Sequence, residues 1–276
     1  MSGLLFGTGG VPHSSRERST VSGIERIHEL GLDCMEMEFV QGVNMSEPTA
    51  QKVGETAERL GIKLSVHAPY YLNFNAHEVE KRKSSQKRLL QSARIGTVCG
   101  ARNIVFHAAF YLDDTPEKAY ATVKSELTEV LTQLKAEQVS VCLRPEVTGK
   151  ETQFGNLEET VALCKELPGV LPCFDVAHYH ARTGKFNSRE ELAKAFEFIG
   201  EKLGRKALDD MHIHFSGIAY TSKGERSHLN LEDSDLQYKE ILRAIADYDV
   251  KGLVICESPN LEGDAMLLKQ TYLSLD

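Results

Sequence analysis

Four stretches of this chain run through an apolar, strand-like segment and stop on a side chain able to hold a metal ion. They are Leu64-Ser65-Val66-His67, Ile104-Val105-Phe106-His107, Cys173-Phe174-Asp175-Val176-Ala177-His178 and Val254-Ile255-Cys256-Glu257. Imidazoles and carboxylates are the donors a zinc-like cation takes. Asp175 and His178, set three residues apart at the end of one strand, make the strongest local signal of this kind. Met211-His212-Ile213-His214 adds two imidazoles at strand spacing, which turns both to the same side. Glu146 follows Leu143-Arg144-Pro145, and the loop Lys223-Gly224-Glu225-Arg226-Ser227-His228 supplies a further acid and imidazole, Glu225 and His228. Glu257 ends the last strand, where an unpaired buried carboxylate would be costly, so a cation partner is expected. The chemistry this set suits is hydrolysis at a centre of several metal ions.

Residues so far apart meet only if a fold gathers their strand ends. Strand-like runs recur near 3–8, 33–39, 62–67, 102–107, 139–145, 170–176, 208–214 and 251–257. Segments of helical periodicity lie between them, near 18–30, 48–60, 77–99, 116–136, 156–167, 188–203, 234–247 and 263–273. Ser46-Glu47-Pro48 and Thr115-Pro116-Glu117 read as helix starts, and Gly31, Gly61 and Gly100 as left-handed helix ends. Strict β–α alternation, with no linker or composition shift, predicts a single (β/α)₈ TIM barrel spanning 1–276. In such a barrel the strand C-termini share one face, which is where the metal site is expected. An open doubly wound sheet is the alternative, but no GxGxxG-type phosphate loop marks its switch point.

The composition narrows the function further. A net charge of −8 argues against a partner held by bulk positive charge, although bound cations would offset it where a phosphate docks. The basic cluster Lys81-Arg82-Lys83 with Lys87, Arg88 and Arg94 falls on a helix and reads as its solvated face. No apolar stretch approaches membrane-spanning length, and Met1–Phe6 lacks the pattern of a signal peptide, so a cytoplasmic location is expected. Six scattered cysteines without a CxxC pair read as reduced core residues. No nucleophile elbow surrounds Ser15, Ser216 or Cys256. A monomer with no obligate protein partner is expected.

In order along the chain, His67-Ala68-Pro69-Tyr70, His107, Glu146, Asp175-x-x-His178, His212, a loop acid with His228, and Glu257-Ser258-Pro259 resemble endonuclease IV. That family comprises zinc-dependent abasic-site endonucleases among the xylose isomerase-like barrels, and the match runs from about residue 5 to 260. The resemblance implies up to three zinc ions, with manganese as a substitute. His67, His107 and the bridging Glu146 would hold the first. Glu146, Asp175, His212 and Glu257 would hold the second, and His178, His228 and Glu225 the third. It implies Glu146 and Glu257 as catalytic carboxylates, Tyr70 and Asn73 as substrate contacts, and abasic double-stranded DNA as the partner, cut 5′ to the lesion. The chain departs from the pattern at Ala108-Ala109, at Val147, and in Gln41-Gly42-Val43-Asn44-Met45-Ser46, which lacks the family's DNA-penetrating arginine. Two other functions fit the same residues: a single-metal sugar isomerase or epimerase using Glu146, Asp175, His212 and Glu257, and a barrel that binds damaged DNA or a phosphorylated ligand without turnover.

Overall fold

The computed structural model describes residues 3–275; Met1 and Ser2, within the N-terminal stretch read above, and Asp276 lie outside the described residues. Eight parallel strands form a nearly closed barrel: β1 (Leu4–Gly9), β2 (Cys34–Glu38), β3 (Lys63–His67), β4 (Asn103–Phe106), β5 (Cys142–Pro145), β6 (Cys173–Asp175), β7 (Met211–Phe215) and β8 (Gly252–Cys256). Each strand pairs with its sequence neighbours, and β8 returns to β1 in the register Leu4↔Gly252 through Thr8↔Cys256. Between β5 and β6 the closure thins to two parallel bridges, Leu143↔Val170 and Glu146↔Cys173.

The helices form where the sequence periodicity places them. Ser46 and Thr115 cap their helices by accepting from the backbone N–H groups of Thr49 and Lys118, each with proline in the first turn. Gly31, Gly61 and Gly100 take φ of 70°, 72° and 78° just past a helix end, a conformation that costs glycine no Cβ clash. Apolar faces such as Ile24 and Ile27, Leu89 and Ala93, and Ile241 and Ile245 pack against the outward side chains of the strands. None of the described helices is long and apolar enough to cross a membrane.

Strand alternation sorts side chains between that core and the lumen. Met35 and Met37 of β2, Leu64 and Val66 of β3, and Met211, Ile213 and Phe215 of β7 face the helices. The intervening residues turn inward. At the floor of the lumen Leu5, Cys34, Leu253 and Ile255 form a small apolar cluster of their own. Above it the inward positions are polar and buried: Glu36, Ser65, Arg144 and His212. The same inward series continues upward to the strand ends.

Two additions to the plain alternation matter for the site. A short helix, Val176–Thr183, starts directly on β6, and a hairpin, Gly217–Thr221 with Gly224–Leu229, rises where the sequence reads as loop. The hairpin rests closely on the loop after β5. Glu225 N–H donates to the Gly149 carbonyl at 2.9 Å. A Cβ on Gly224, whose φ is +92°, would stand 2.2 Å from that carbonyl oxygen, so only glycine permits the approach.

Candidate metal centre

At the strand C-termini four imidazoles surround one carboxylate. Glu146 Oε2 lies 3.2 Å from Nε2 of His67 and 3.2 Å from Nε2 of His107, while Oε1 lies 2.9 Å from Nδ1 of His178. Nδ1 of His214 stands 3.5 Å from Glu146 Oε2 and 3.4 Å from Glu257 Oε1. The Glu146 side chain is 1% exposed, against 18% for His107 and 12% for Glu257, so the cluster opens toward solvent on the side of those two. Its donor atoms fall into overlapping groups: His67, His107 and Glu146; Glu146, Asp175 and His214; Asp175, His178 and His228; and Glu36, His214 and Glu257.

Local structure explains why each donor points inward. Asp175 is the N-cap of the short helix, its Oδ1 accepting from the backbone N–H of His178 at 2.7 Å. The D-x-x-H spacing is thus an N-cap and its third helical residue, which brings the carboxylate and the imidazole together. Three imidazoles are oriented by backbone carbonyls. His67 Nδ1 donates to Ala68 O at 2.7 Å, His178 Nδ1 faces Val147 O at 3.2 Å, and His228 Nδ1 faces Glu257 O at 3.2 Å. Carbonyls only accept, so in the neutral rings Nδ1 carries the proton and Nε2 is left as a donor atom. Arg182 braces the loop below the hairpin, giving Nη1 to the carbonyls of Thr148, Lys150 and Gln153.

Charge in this enclosure is strongly perturbed. Burial alone would lower the His67 and His178 pKa values, but neighbouring carboxylates overcome it and push both up to about 10. For His67 these are chiefly Glu146 and Glu38, and for His178 they are Asp175, Glu146 and Glu225. Burial would raise Glu146, yet the imidazoles of His107, His214 and His178 hold it well below the carboxylate range. Asp175 is raised to about 6 by burial, with His178 opposing.

A zinc-type cation fits these residues. Asp175 Oδ2, His214 Nδ1 and Glu38 Oε1 are buried with no hydrogen-bond partner. Nε2 of His178 and Nε2 of His228 face each other at 3.3 Å, so two imidazole nitrogens converge on one point. A cation held among these atoms would give the unpartnered ones a partner, and the nitrogen and oxygen donor set suits zinc.

The sequence-read residues are not all placed as expected. His67, His107, Glu146, Asp175, His178, His228 and Glu257 converge, and Glu225 reaches in from the hairpin with Oε2 3.6 Å from His178 Nε2. His212 lies one inward step lower, its Nε2 2.9 Å from Glu36 Oε2, in a donor group with Cys173 and His214, while His214 stands beside Glu146 and Glu257. Both histidines do face inward, but only the one nearer the strand end reaches Glu146 and Glu257. Tyr70 stands at the rim, 51% exposed, its ring 5.1 Å from His67 and 5.9 Å from His107. Asn73, expected at the substrate, uses its side-chain oxygen to accept from the backbone N–H groups of Asn75 and Phe110, tying two loops together.

Glu36 and Glu38 escaped the sequence reading. Burial, then Glu36 and Glu257, raises Glu38 to about 8 against the pull of His67. The signal was present: Met35-Glu36-Met37-Glu38 alternates acids with methionines, so strand period two sends both acids into the lumen.

A parallel barrel with a cluster of imidazoles and carboxylates at its strand C-termini defines the class. The chain belongs to the xylose isomerase-like TIM barrel family, whose profile matches residues 24–271. It is 44% identical over 273 residues to an uncharacterized protein of Methanocaldococcus jannaschii, covering 99% of this chain and 98% of that one. It is 26% identical over 200 residues to a probable endonuclease 4 of Mycoplasma pneumoniae, covering 71% of this chain and 68% of the relative. Among solved structures, endonuclease IV from Thermus thermophilus superposes with a TM-score of 0.76 at 17% identity, over 98% of both chains. The 3-keto-D-glucoside 4-epimerase of E. coli superposes at 0.71 and 15% identity, over 97% of this chain and 99% of that one. Likeness at these identities is a likeness of fold.

Proposed function

We propose that this protein is a metal-dependent phosphodiester hydrolase, with up to three zinc ions, that cuts DNA on the 5′ side of abasic sites. The observation that carries this reading is the size and overlap of the donor set. Glu146 belongs to two groups and Asp175 to two, with His67 and His107 on one flank and His178 and His228 on the other. One cation cannot use donors spread so widely. His67, His107 and Glu146 would hold one ion; Glu146, Asp175, His214 and Glu257 a second; His178, His228 and Glu225 a third.

Bound zinc supplies Lewis acidity toward phosphate oxygens and lowers the pKa of water to about 7. The chain's own groups do the rest. Glu257, on the open side of the cluster, accepts the proton of an attacking water as general base. Glu146 stays ionised among its imidazoles and holds them in place. Tyr70, at the mouth, stacks against the gap left by the missing base. The sugar at such a site leaves the duplex at low cost because no base must be unstacked. Incubation with a duplex carrying one abasic site should give 5′ incision with zinc or manganese present. No incision across divalent metals would sink the proposal.

A second reading is a single-metal sugar epimerase. It is favoured by Glu146, Asp175, His214 and Glu257, which by themselves make a four-ligand set, and by the absence of a free basic stripe among the described residues. Lys81, Arg82 and Arg94 are paired with Glu78, Glu126 and Glu137. Metal analysis separates the two. One ion per chain, unaffected by His67→Ala, points to the epimerase; two or more, reduced by that substitution, point to the hydrolase.

A further inference from the structure

We propose that Glu36 is the positioning residue that fixes which nitrogen of His214 is offered to a cation. The proposal rests on the metal-centre reading and concerns a residue outside its ligand set. Glu36 is fully buried in the lumen on β2, one inward step below the strand end. Its Oε1 lies 2.8 Å from Nε2 of His214. Its Oε2 accepts from the Ser65 hydroxyl at 2.6 Å and stands 2.9 Å from Nε2 of His212. All four residues are 0% exposed, so water does not compete for these contacts.

An ionised carboxylate can only accept, so His214 must carry a proton on Nε2. When the ring is neutral its lone pair is then on Nδ1. That atom has no hydrogen-bond partner and faces Glu146 and Glu257. The other three oriented imidazoles of the centre have the opposite tautomer, set by backbone carbonyls. His214 sits on a strand whose own carbonyls are committed to the sheet, so its orienting acceptor comes from a side chain across the lumen. Ser65 prevents Glu36 from rotating away. Nε2 of His212 stands 2.9 Å from the second oxygen, on the β7 side of the carboxylate. A carboxylate behind a metal-binding histidine both orients the ring and raises its basicity.

The test uses the full chain, with zinc and cobalt(II) as probes. Glu36→Gln should fold, yet bind zinc about 10–100-fold more weakly in chelator competition. Its cobalt(II) absorption spectrum should change in band position or intensity. Ser65→Ala should shift affinity in the same direction by less. A purely structural Glu36 would lower the melting temperature while leaving the cobalt spectrum and zinc affinity within about two-fold of the unaltered chain, and that result would overturn the proposal alone. If the unaltered chain bound no metal, both the proposal and the metal-centre reading would fall. Should Glu36→Gln not fold, histidine ¹H–¹⁵N correlation of the unaltered zinc-loaded protein decides: Nε2–H on His214 supports the assignment, and Nδ1–H overturns it.

Discussion

The floor and the mouth of the same lumen are built from the same inward-facing strand positions and are opposite in character. On β8 the inward series reads Leu253, Ile255, Glu257, and on β2 it reads Cys34, Glu36, Glu38. At the floor Leu5, Cys34, Leu253 and Ile255 close on one another as an apolar plug. Higher up the equivalent positions hold carboxylates and imidazoles 2.9–3.5 Å apart, several with atoms that no protein group satisfies. Between them, Arg144 is buried with Nε on Asn103 Oδ1 at 3.0 Å and Nη1 on Pro172 O at 3.3 Å. The floor therefore contributes stability by excluding water, whereas the mouth gives up stability to hold charge in place. A few residues of climb along one strand separate a packing job from a chemical one.

That contrast is sharpened or broken by four measurements. The largest effect is expected at the mouth: Glu257→Gln should lower phosphodiester cleavage by about 10²–10⁴-fold, the range for losing a general base, and leave the fold intact. Circular dichroism alongside the rate separates the two; cleavage at the unaltered rate would remove Glu257 from the mechanism. At the floor the effect should reverse in kind. Ile255→Ala should cost about 2–5 kcal/mol of stability through the cavity it leaves. Denaturant unfolding would show it, and metal content should not change. A floor substitution that empties the metal centre without destabilising the protein would break the comparison.

Next is pH. His67 and His178, raised to about 10, bind protons at neutral pH that a cation must displace, so zinc affinity should climb with pH. The slope is up to about tenfold, or about 1.4 kcal/mol, per pH unit for each proton displaced. Metal-free stability should run the other way. Raised histidine pKa values contribute stability fully present below about 6.5, their unfolded value, and lost as pH rises through about 10. Zinc titrations and metal-free melting curves across that window check both signs, and a flat zinc affinity would mean the imidazoles are not ligands. The smallest effect belongs to the rim: Tyr70→Ala should cost about 1 kcal/mol in binding an abasic duplex. Intact duplex should be unaffected; equal losses on both DNAs would make Tyr70 a rim residue without a lesion-sensing role.

Much of this was legible beforehand. Eight alternating strands and helices could be read because lumen and core impose period two and helix faces impose period 3.6, and both are written locally. Asp175 and His178 were legible as a pair because an N-cap and its third helical residue are neighbours in sequence. Glu257 and His67 were legible because each ends an apolar run. The hairpin Gly217–Leu229 was not, since its polar strands bury little and pair mainly with each other over the loop after β5.

The sequence by itself determined which residue types stand at the strand ends, through alternation and capping that depend only on near neighbours. Tertiary structure alone decided which of them meet. Strand spacing sends His212 and His214 to the same side without saying which is level with Glu146. That depends on the stagger of β7 against β6 and β8, where Asp175 lies beside His214 and Cys256 beside Phe215. Glu36 illustrates the same limit. An acid in a methionine-rich strand is visible in the chain, but its partners on β3 and β7 are 29, 176 and 178 residues away, and only closing the barrel brings Ser65, His212 and His214 to one carboxylate.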